Sequence, residues 1–135
     1  MQDLTIAAIQ MNAPVGEIER NLHTHVRLAK AAAGQGAELI CFPELSITGH
    51  WCSGAVWSAA EAVPEGPSVQ RMTTLAAELG VFISFGIAER DRGIAYNTQV
   101  VVGPEGYVGK QRKLHPSGDI LAPSMDARWR PRRRA

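Results

Sequence analysis

The chain has 135 residues, of which 45% are hydrophobic and 20% are charged, a composition typical of a globular protein with room for one domain. It excludes a wholly disordered or collagen-like chain, and a net charge of +1 argues against a surface that binds polyanions strongly. No apolar stretch approaches the roughly 18 residues of a membrane span, the start lacks a basic signal region, and two cysteines are too few for a disulfide framework. We therefore expect a cytoplasmic protein with no membrane partner.

The first part of the sequence predicts a strand, a helix and a second strand. Residues 4–10 form a short apolar run, typical of a strand that is covered on both faces. From Glu17 to about Ala33, apolar residues recur every three or four positions, which predicts an amphipathic helix. Residues 38–42 form a second apolar run that stops at Pro43. About thirty residues separate the two strand starts, which is the size of a crossover unit and predicts a parallel pair.

The next part predicts a long loop, a helix and antiparallel strands. Residues 43–66 are rich in proline and glycine, and a long loop after a strand end is more often functional than idle. Ser68 is expected to cap a helix that runs to about Leu79 and ends at Gly80. Three strands joined by tight turns are then predicted, at 81–87, at 95–102 and from Tyr107 onward, the first two as a hairpin.

The last ten residues differ in composition from the rest. Residues 126–135 contain five arginines and one acid, a net charge of +4, whereas residues 1–125 carry nine basic and 12 acidic residues, a net charge of −3. We expect residues 119–135 to be a disordered Arg/Pro-rich tail. A shifted or artificially ended reading frame is the second interpretation. A nucleic-acid-binding arm is the third and least favoured, because a basic run alone is a weak signal.

Glu44 and Lys113 are the candidate functional residues by position. Glu44 follows a buried strand and Pro43, where open α/β sheets place their sites, and a carboxylate held there can act as a general base. The alternative is a solvated loop glutamate. Strand alternation puts Lys113 on the opposite face from Lys110 and Arg112, so that one cation can point inward while its neighbours stay in solvent. The alternative, favoured without further context, is an ordinary basic strand edge.

The cysteines and histidines predict no site of their own. Cys41 lies inside an apolar run and is interpreted as an inert packing residue. Cys52 lies two residues from His50, but that spacing does not establish an activated thiol. The four histidines lack the spacing of zinc sites, and no phosphate-binding glycine motif is present. We therefore expect no metal and no cofactor.

Three segments together resemble the nitrilase or carbon–nitrogen hydrolase superfamily. They are 6–12 followed by Asn21, 37–49 with its Phe-Pro-Glu, and 96–115 with its Arg-Lys-Leu-His. The resemblance covers about residues 4–118 and implies an α/β fold with a mixed sheet, the N-terminal half of an α-β-β-α sandwich. Residues 1–118 would be a partial domain of this family. The implied activity is hydrolysis of non-peptide C–N bonds in small amides, nitriles or N-carbamoyl amino acids.

The resemblance also implies roles within a Glu-Lys-Cys triad. Glu44 would be the general base and Lys113 the cation that stabilises the tetrahedral intermediate. The family's cysteine nucleophile and an assisting second glutamate lie beyond the lysine, yet no cysteine follows Cys52 and no glutamate follows Glu105 here. We therefore expect a chain that is truncated before the nucleophile and inactive alone.

The alternative is a non-catalytic fragment or interaction module that oligomerises through its exposed sandwich face. A homo-oligomer is expected under both interpretations. Residues 116–119 resemble the corresponding segment of amidase or carbamoylase members of this family, which implies an amide over a nitrile, but the substrate stays open.

Overall fold

The computed structural model describes residues 3–49 and 58–114, which form a five-stranded sheet with two helices. The elements are β1 (Ile6–Ala8), α1 (Ile18–Gly34), β2 (Leu39–Cys41), α2 (Pro67–Leu79), β3 (Phe82–Asp91), β4 (Ile94–Gly103) and β5 (Gly106–Arg112). Neither helix is long and apolar enough to cross a membrane within the described ranges.

The sheet is mixed, as expected. Its strands lie in the order β1-β2-β3-β4-β5. β1, β2 and β3 are parallel, whereas β3, β4 and β5 are antiparallel. The α/β class, the parallel pair around α1 and the hairpin of β3 and β4 are therefore confirmed. Arg92 and Gly93, with φ of 50° and 80°, make the tight turn of that hairpin.

One face of the sheet holds the core. Ile83, Phe85 and Ile87 alternate along β3, are fully buried and pack in one cluster with apolar residues of both helices. The opposite face is open in the described part of the chain: Ile6 and Phe82, neighbours of Leu39 in the strand register, are 57% and 45% exposed. The expectation that the first strand is covered on both faces is therefore wrong for β1. An apolar run indicates that a strand is buried. It does not indicate which part of the protein supplies the layer that covers the strand.

The start of α2 also differs from the expectation. Gly66 is the N-cap, and Ser68 lies inside the first turn. The carboxylate of Glu61 accepts the Ser68 backbone N–H at 2.8 Å and also the Ser68 hydroxyl. A carboxylate at a helix N-terminus meets the unpaired N–H groups and the positive end of the helix dipole, so Glu61 takes the role that was expected of Ser68. Gly80 ends the helix in a left-handed conformation, as expected.

Candidate active site

Glu44 and Lys113 are in contact although they lie 69 positions apart in the sequence. Glu44 follows the end of β2 by three residues, and Lys113 immediately follows β5. Lys113 Nζ donates to Glu44 Oε1 at 2.7 Å, and the side chains are 38% and 40% exposed. The Asn97 side-chain amide, on β4 between the two elements, donates to the same oxygen. A carboxylate, an ammonium and an amide therefore meet on the open face of the sheet.

The loop that carries Glu44 lies along the edge of β3. β2 ends at Cys41, and the next residues replace it as hydrogen-bond partners of β3. Ile47 N–H donates to the Gly86 carbonyl at 2.9 Å. The Ser46 and Thr48 hydroxyls accept the backbone N–H groups of Gly86 and Ala88 at 3.3 and 3.2 Å. Because buried backbone groups require partners, this pairing ties the position of Glu44 to the central strand.

Gly86 permits this close approach. A Cβ atom at Gly86 would lie 2.1 Å from the backbone nitrogen of Leu45 and 2.7 Å from the carbonyl carbon of Glu44. Leu45 itself has a φ of 52°, a conformation that L residues rarely adopt. The backbone bend at Leu45 thus depends on a strand residue that has no side chain.

His25 on α1 holds the same loop from the core side. Its Nδ1 lies 2.7 Å from the Asn21 carbonyl, and its Nε2 lies 2.9 Å from the Ser46 hydroxyl. Burial lowers the pKa of His25 to about 4, more than the hydrogen bond to Asn21 raises it, so the ring is neutral near pH 7. Nδ1–H therefore donates to the carbonyl, and Nε2 accepts the Ser46 O–H.

Asn21 joins the loops on either side of the site. Its amide nitrogen donates to the carbonyls of Pro14 and Ile47 at 2.8 and 2.9 Å. The side chain is fully buried at the start of α1. This geometry gives a physical reason for the asparagine that accompanies the first motif of the resemblance.

The other cations of β5 are partly exposed but bound to a buried carboxylate, contrary to the expectation that they contact only solvent. Lys110 Nζ and Arg112 Nη2 each lie 2.6 Å from Glu89 Oε1, and Arg112 Nε donates to Glu89 Oε2 at 3.0 Å. The predicted alternation itself is confirmed, because Lys110 and Arg112 point to one face and Lys113 to the other. The prediction assumed that the face carrying Lys110 and Arg112 contacts only solvent, whereas Glu89 lies on that face and binds both cations.

Sequence reasoning missed Glu89, whose side chain is 1% exposed. Burial would raise its pKa, but hydrogen bonds from Arg112, Lys110 and Thr98 outweigh burial and lower the pKa to about 2. A signal was available: Glu89 follows Phe85 and Ile87 at two-residue steps, which places an acid on the buried face of an apolar strand. Such an acid requires a partner.

Two cavities meet at Glu44. One, of about 250 Å³, is lined by Asn97, Gln99, Gln111 and Lys113. The other, of about 470 Å³, is lined by Pro43, Ser46 and residues 11–13. Chemically, a carboxylate in this position can take up a proton while a neighbouring ammonium stabilises negative charge.

Of the remaining residues that the sequence analysis considered, some lie outside the part of the chain that the structure describes. Cys41 is a half-buried free thiol on β2, and its inert role stays a prediction. Cys52, His50, His115 and the tail at 119–135 lie outside the described residues. Residues 3–49 and 58–114 contain no group of three or more side chains able to hold a metal ion.

Comparison with known proteins identifies the family. The sequence profile described as carbon-nitrogen hydrolase matches residues 5–130. A nitrilase of Pyrococcus abyssi is 39% identical over 112 residues, which cover 82% of this chain and 43% of that protein. An N-carbamoylputrescine amidase of Solanum lycopersicum is 32% identical over 120 residues, covering 85% and 40%. The chain belongs to the carbon-nitrogen hydrolase family.

Solved structures support the same fold. The structure of XC1258 from Xanthomonas campestris, a CN-hydrolase superfamily protein, matches with a TM-score of 0.75 and 28% identity, covering 85% of this chain and 42% of that one. The chain thus spans less than half the length of these relatives. The profile match also extends past residue 118, but residues 115–135 are not described, so the domain boundary at 118 stays a prediction.

Proposed function

We propose that this chain supplies the acid–base half of an active site that hydrolyses small amides or nitriles at non-peptide C–N bonds. Glu44 is the general base, and Lys113 stabilises the negative charge of the tetrahedral intermediate. The observation that carries the proposal is the 2.7 Å contact of Lys113 Nζ with Glu44 Oε1, at the edge of a cavity lined by amide side chains. Membership of the family and the names of its nitrilase and amidase relatives support the substrate class.

The reaction on an amide uses both groups in turn. Glu44 takes the proton of a cysteine thiol, and the thiolate sulfur forms a bond to the carbonyl carbon. The carbonyl electron pair moves onto oxygen, and Lys113 stabilises the resulting charge by hydrogen bonding. When the intermediate collapses, the C–N bond breaks and the amine leaves with the proton that Glu44 held. Water, deprotonated by Glu44, then cleaves the thioester to a carboxylic acid and the free thiol.

Neither cysteine of the 135-residue chain lies where this mechanism needs one. No cysteine follows Cys52, whereas the resemblance puts the nucleophile beyond the lysine. We expect the 135-residue chain alone to show no turnover of simple amides, nitriles or N-carbamoyl amino acids. Turnover that Cys52→Ala abolishes would contradict the assignment of the nucleophile.

A chimera tests the roles of Glu44 and Lys113 directly. Residues 1–114 are fused to the part of the Pyrococcus abyssi nitrilase that follows its matched segment. We expect hydrolysis of a nitrile or amide that falls by at least ~100-fold in Glu44→Gln and Lys113→Met. Arg71→Gln, which removes an exposed ion pair with Glu19 on the helices, is the matched control and should keep full activity. An active chimera that tolerates Glu44→Gln would refute the proposal.

A second candidate function is that of a non-catalytic module that associates through the open face of the sheet. The row of apolar side chains Ile6, Leu39 and Phe82, adjacent in the strand register, favours it. Light scattering tests this candidate: an oligomer that Phe82→Ser converts to a monomer supports association through this face, and a dilute, well-folded monomer contradicts it. Homo-oligomerisation and a cytoplasmic location remain predictions.

A further inference from the structure

An ionic cluster around the buried carboxylate of Glu89 lies behind the candidate site, on the helix side of the sheet. We call it the Glu89 cluster; its members are Glu89, Asp91, Tyr96, Thr98, Lys110 and Arg112. Arg112 binds Glu89 through two nitrogens and donates to Asp91 at 2.7 Å, and its guanidinium carbon lies 3.7 Å from the centre of the Tyr96 ring. The Thr98 hydroxyl donates to Glu89 at 2.7 Å. Within the described residues, the side-chain hydrogen bonds among the cluster members join β3 to β4 or β5, and Lys110 also donates to the Val63 carbonyl.

The strand register relates this cluster to the candidate site. Thr98 on β4 lies opposite Arg112 on β5. Asn97 precedes Thr98, and Lys113 follows Arg112. Because side chains alternate along a strand, Asn97 and Lys113 point to the face opposite Thr98 and Arg112. The Lys113 backbone N–H donates to the Asn97 carbonyl at 2.8 Å, which extends the ladder by one step. Asn97 and Lys113, which both donate to Glu44 Oε1, are thus sequence neighbours of two members of the Glu89 cluster.

We propose that the Glu89 cluster is a positioning device that fixes the ends of β4 and β5 so that Asn97 and Lys113 reach Glu44. The functional meaning of this contact rests on the proposed function above, but the geometric claim does not. In the described part of the chain, Glu89 and Arg112 make no side-chain hydrogen bond to Glu44 or Lys113, so we treat them as positioning residues.

The location of the cluster gives a reason for this role, because it lies next to a strand end that has only one neighbouring strand. β5 pairs only with β4 in the described sheet, and their register shifts between Val101 and Val102. A strand end with one neighbour frays readily, and Lys113 lies just beyond the last residue of β5. A guanidinium bound to a carboxylate by two hydrogen bonds fixes orientation as well as distance. An apolar pair would bury the same surface without setting this direction.

Zero-length cross-linking measures the contact without requiring turnover. A water-soluble carbodiimide activates the Glu44 carboxyl group; the Lys113 amine then attacks it, an amide bond forms, and the carbodiimide leaves as its urea. Peptide mapping by mass spectrometry of the full chain quantifies this Glu44–Lys113 bond. We expect efficient cross-linking in the wild type and none in Lys113→Gln.

The variants of the cluster decide the proposal. In Glu89→Gln and Arg112→Gln, with folding checked by circular dichroism, we expect the cross-link yield to fall by roughly tenfold, because small displacements strongly reduce the rate of reaction between two groups. Arg71→Gln breaks the exposed Arg71–Glu19 pair and should leave the yield unchanged. Wild-type yield in the two folded cluster variants would overturn the proposal.

If either variant does not fold, Arg112→Lys gives the decision, because it keeps the charge and loses the paired geometry. A reduced yield in folded Arg112→Lys supports the proposal, and an unchanged yield overturns it. An inactive chimera combined with the expected cross-linking response would refute the proposed function and leave the positioning role intact.

Discussion

The hydroxyl of Ser46 donates to Nε2 of His25, and this contact joins the loop that carries Glu44 to the buried face of α1. His25 also packs against the Phe42 ring, with the ring centroids 4.2 Å apart. In this direction the bond requires a neutral imidazole, because a protonated Nε2 can only donate, and the Ser46 hydroxyl would then have to turn its hydrogen away. The hydrogen bonding that holds this loop therefore involves a buried titratable residue that has no proposed part in the chemistry.

The lowered pKa of His25 predicts a loss of stability at mildly acidic pH. The pKa of His25 falls from 6.5 in the unfolded chain to about 4 in the folded one. Between these values the unfolded state binds a proton that the folded state does not, so the free energy of unfolding decreases as the pH falls from 6.5 towards 4. The total loss from this residue is on the order of 3 kcal/mol. Urea denaturation at a series of pH values measures it.

The matched control is the other histidine of α1. His23 is exposed, so His23→Asn should retain the pH dependence. His25→Asn should be less stable at pH 7 and should lose most of the slope between pH 6.5 and 4. An equal slope in the wild type and His25→Asn would show that another group causes it.

Gly86→Ala tests the close approach of the loop to β3. The added methyl group would lie 2.1 Å from the Leu45 nitrogen, a backbone atom that cannot move without displacing Glu44. We expect a loss of roughly 1–3 kcal/mol in the free energy of unfolding, as for other overpacked positions. Gly109→Ala on β5 is the control, since a Cβ atom there meets nothing within 4 Å. Equal stabilities of the two variants in chemical denaturation would contradict this account.

The lowered pKa of Glu89 predicts a second loss of stability, at a pH below that of the loss caused by His25. Its pKa is lowered from 4.5 to about 2, so its contribution to stability is complete above pH 4.5 and is lost as the pH falls towards 2. Glu89→Gln leaves two cations without their buried partner, and we expect a loss of about 2–3 kcal/mol at pH 7. Glu19→Gln removes an exposed partner of Arg71 and should change stability by less than ~0.5 kcal/mol. An unchanged acid transition in Glu89→Gln would refute the assignment.

The elements with a clear local period were predictable from the sequence. α1 and the β3–β4 hairpin follow from apolar spacing and turn residues, which act within a few positions. The start of α2 was not predictable, because its capping carboxylate comes from Glu61, outside the helix. Local preferences identify a good cap residue but not a better acceptor that the fold brings from elsewhere.

The candidate site was only partly predictable. The position after β2 singled out Glu44, and alternation gave the direction of Lys113, but neither observation implies that the two touch. That contact depends on the pairing of β3, β4 and β5, and the register of that pairing is not a local property of any one strand. The Glu89 cluster was missed for the same reason, since its acid and its cations come from strands that β4 separates.

Glu44 and Lys113 are expected to contribute little to folding, in contrast to Glu89. Their side chains are 40% and 38% exposed, and exposed ion pairs stabilise proteins weakly because solvent screens them. Glu44→Gln should therefore change the free energy of unfolding by less than about 1 kcal/mol, while it removes activity from the chimera. Urea denaturation of the 135-residue chain measures the first effect, with Glu89→Gln as the destabilised reference. A loss as large as that of Glu89→Gln would indicate that Glu44 serves the fold, and the ion pair would then no longer support a role in hydrolysis.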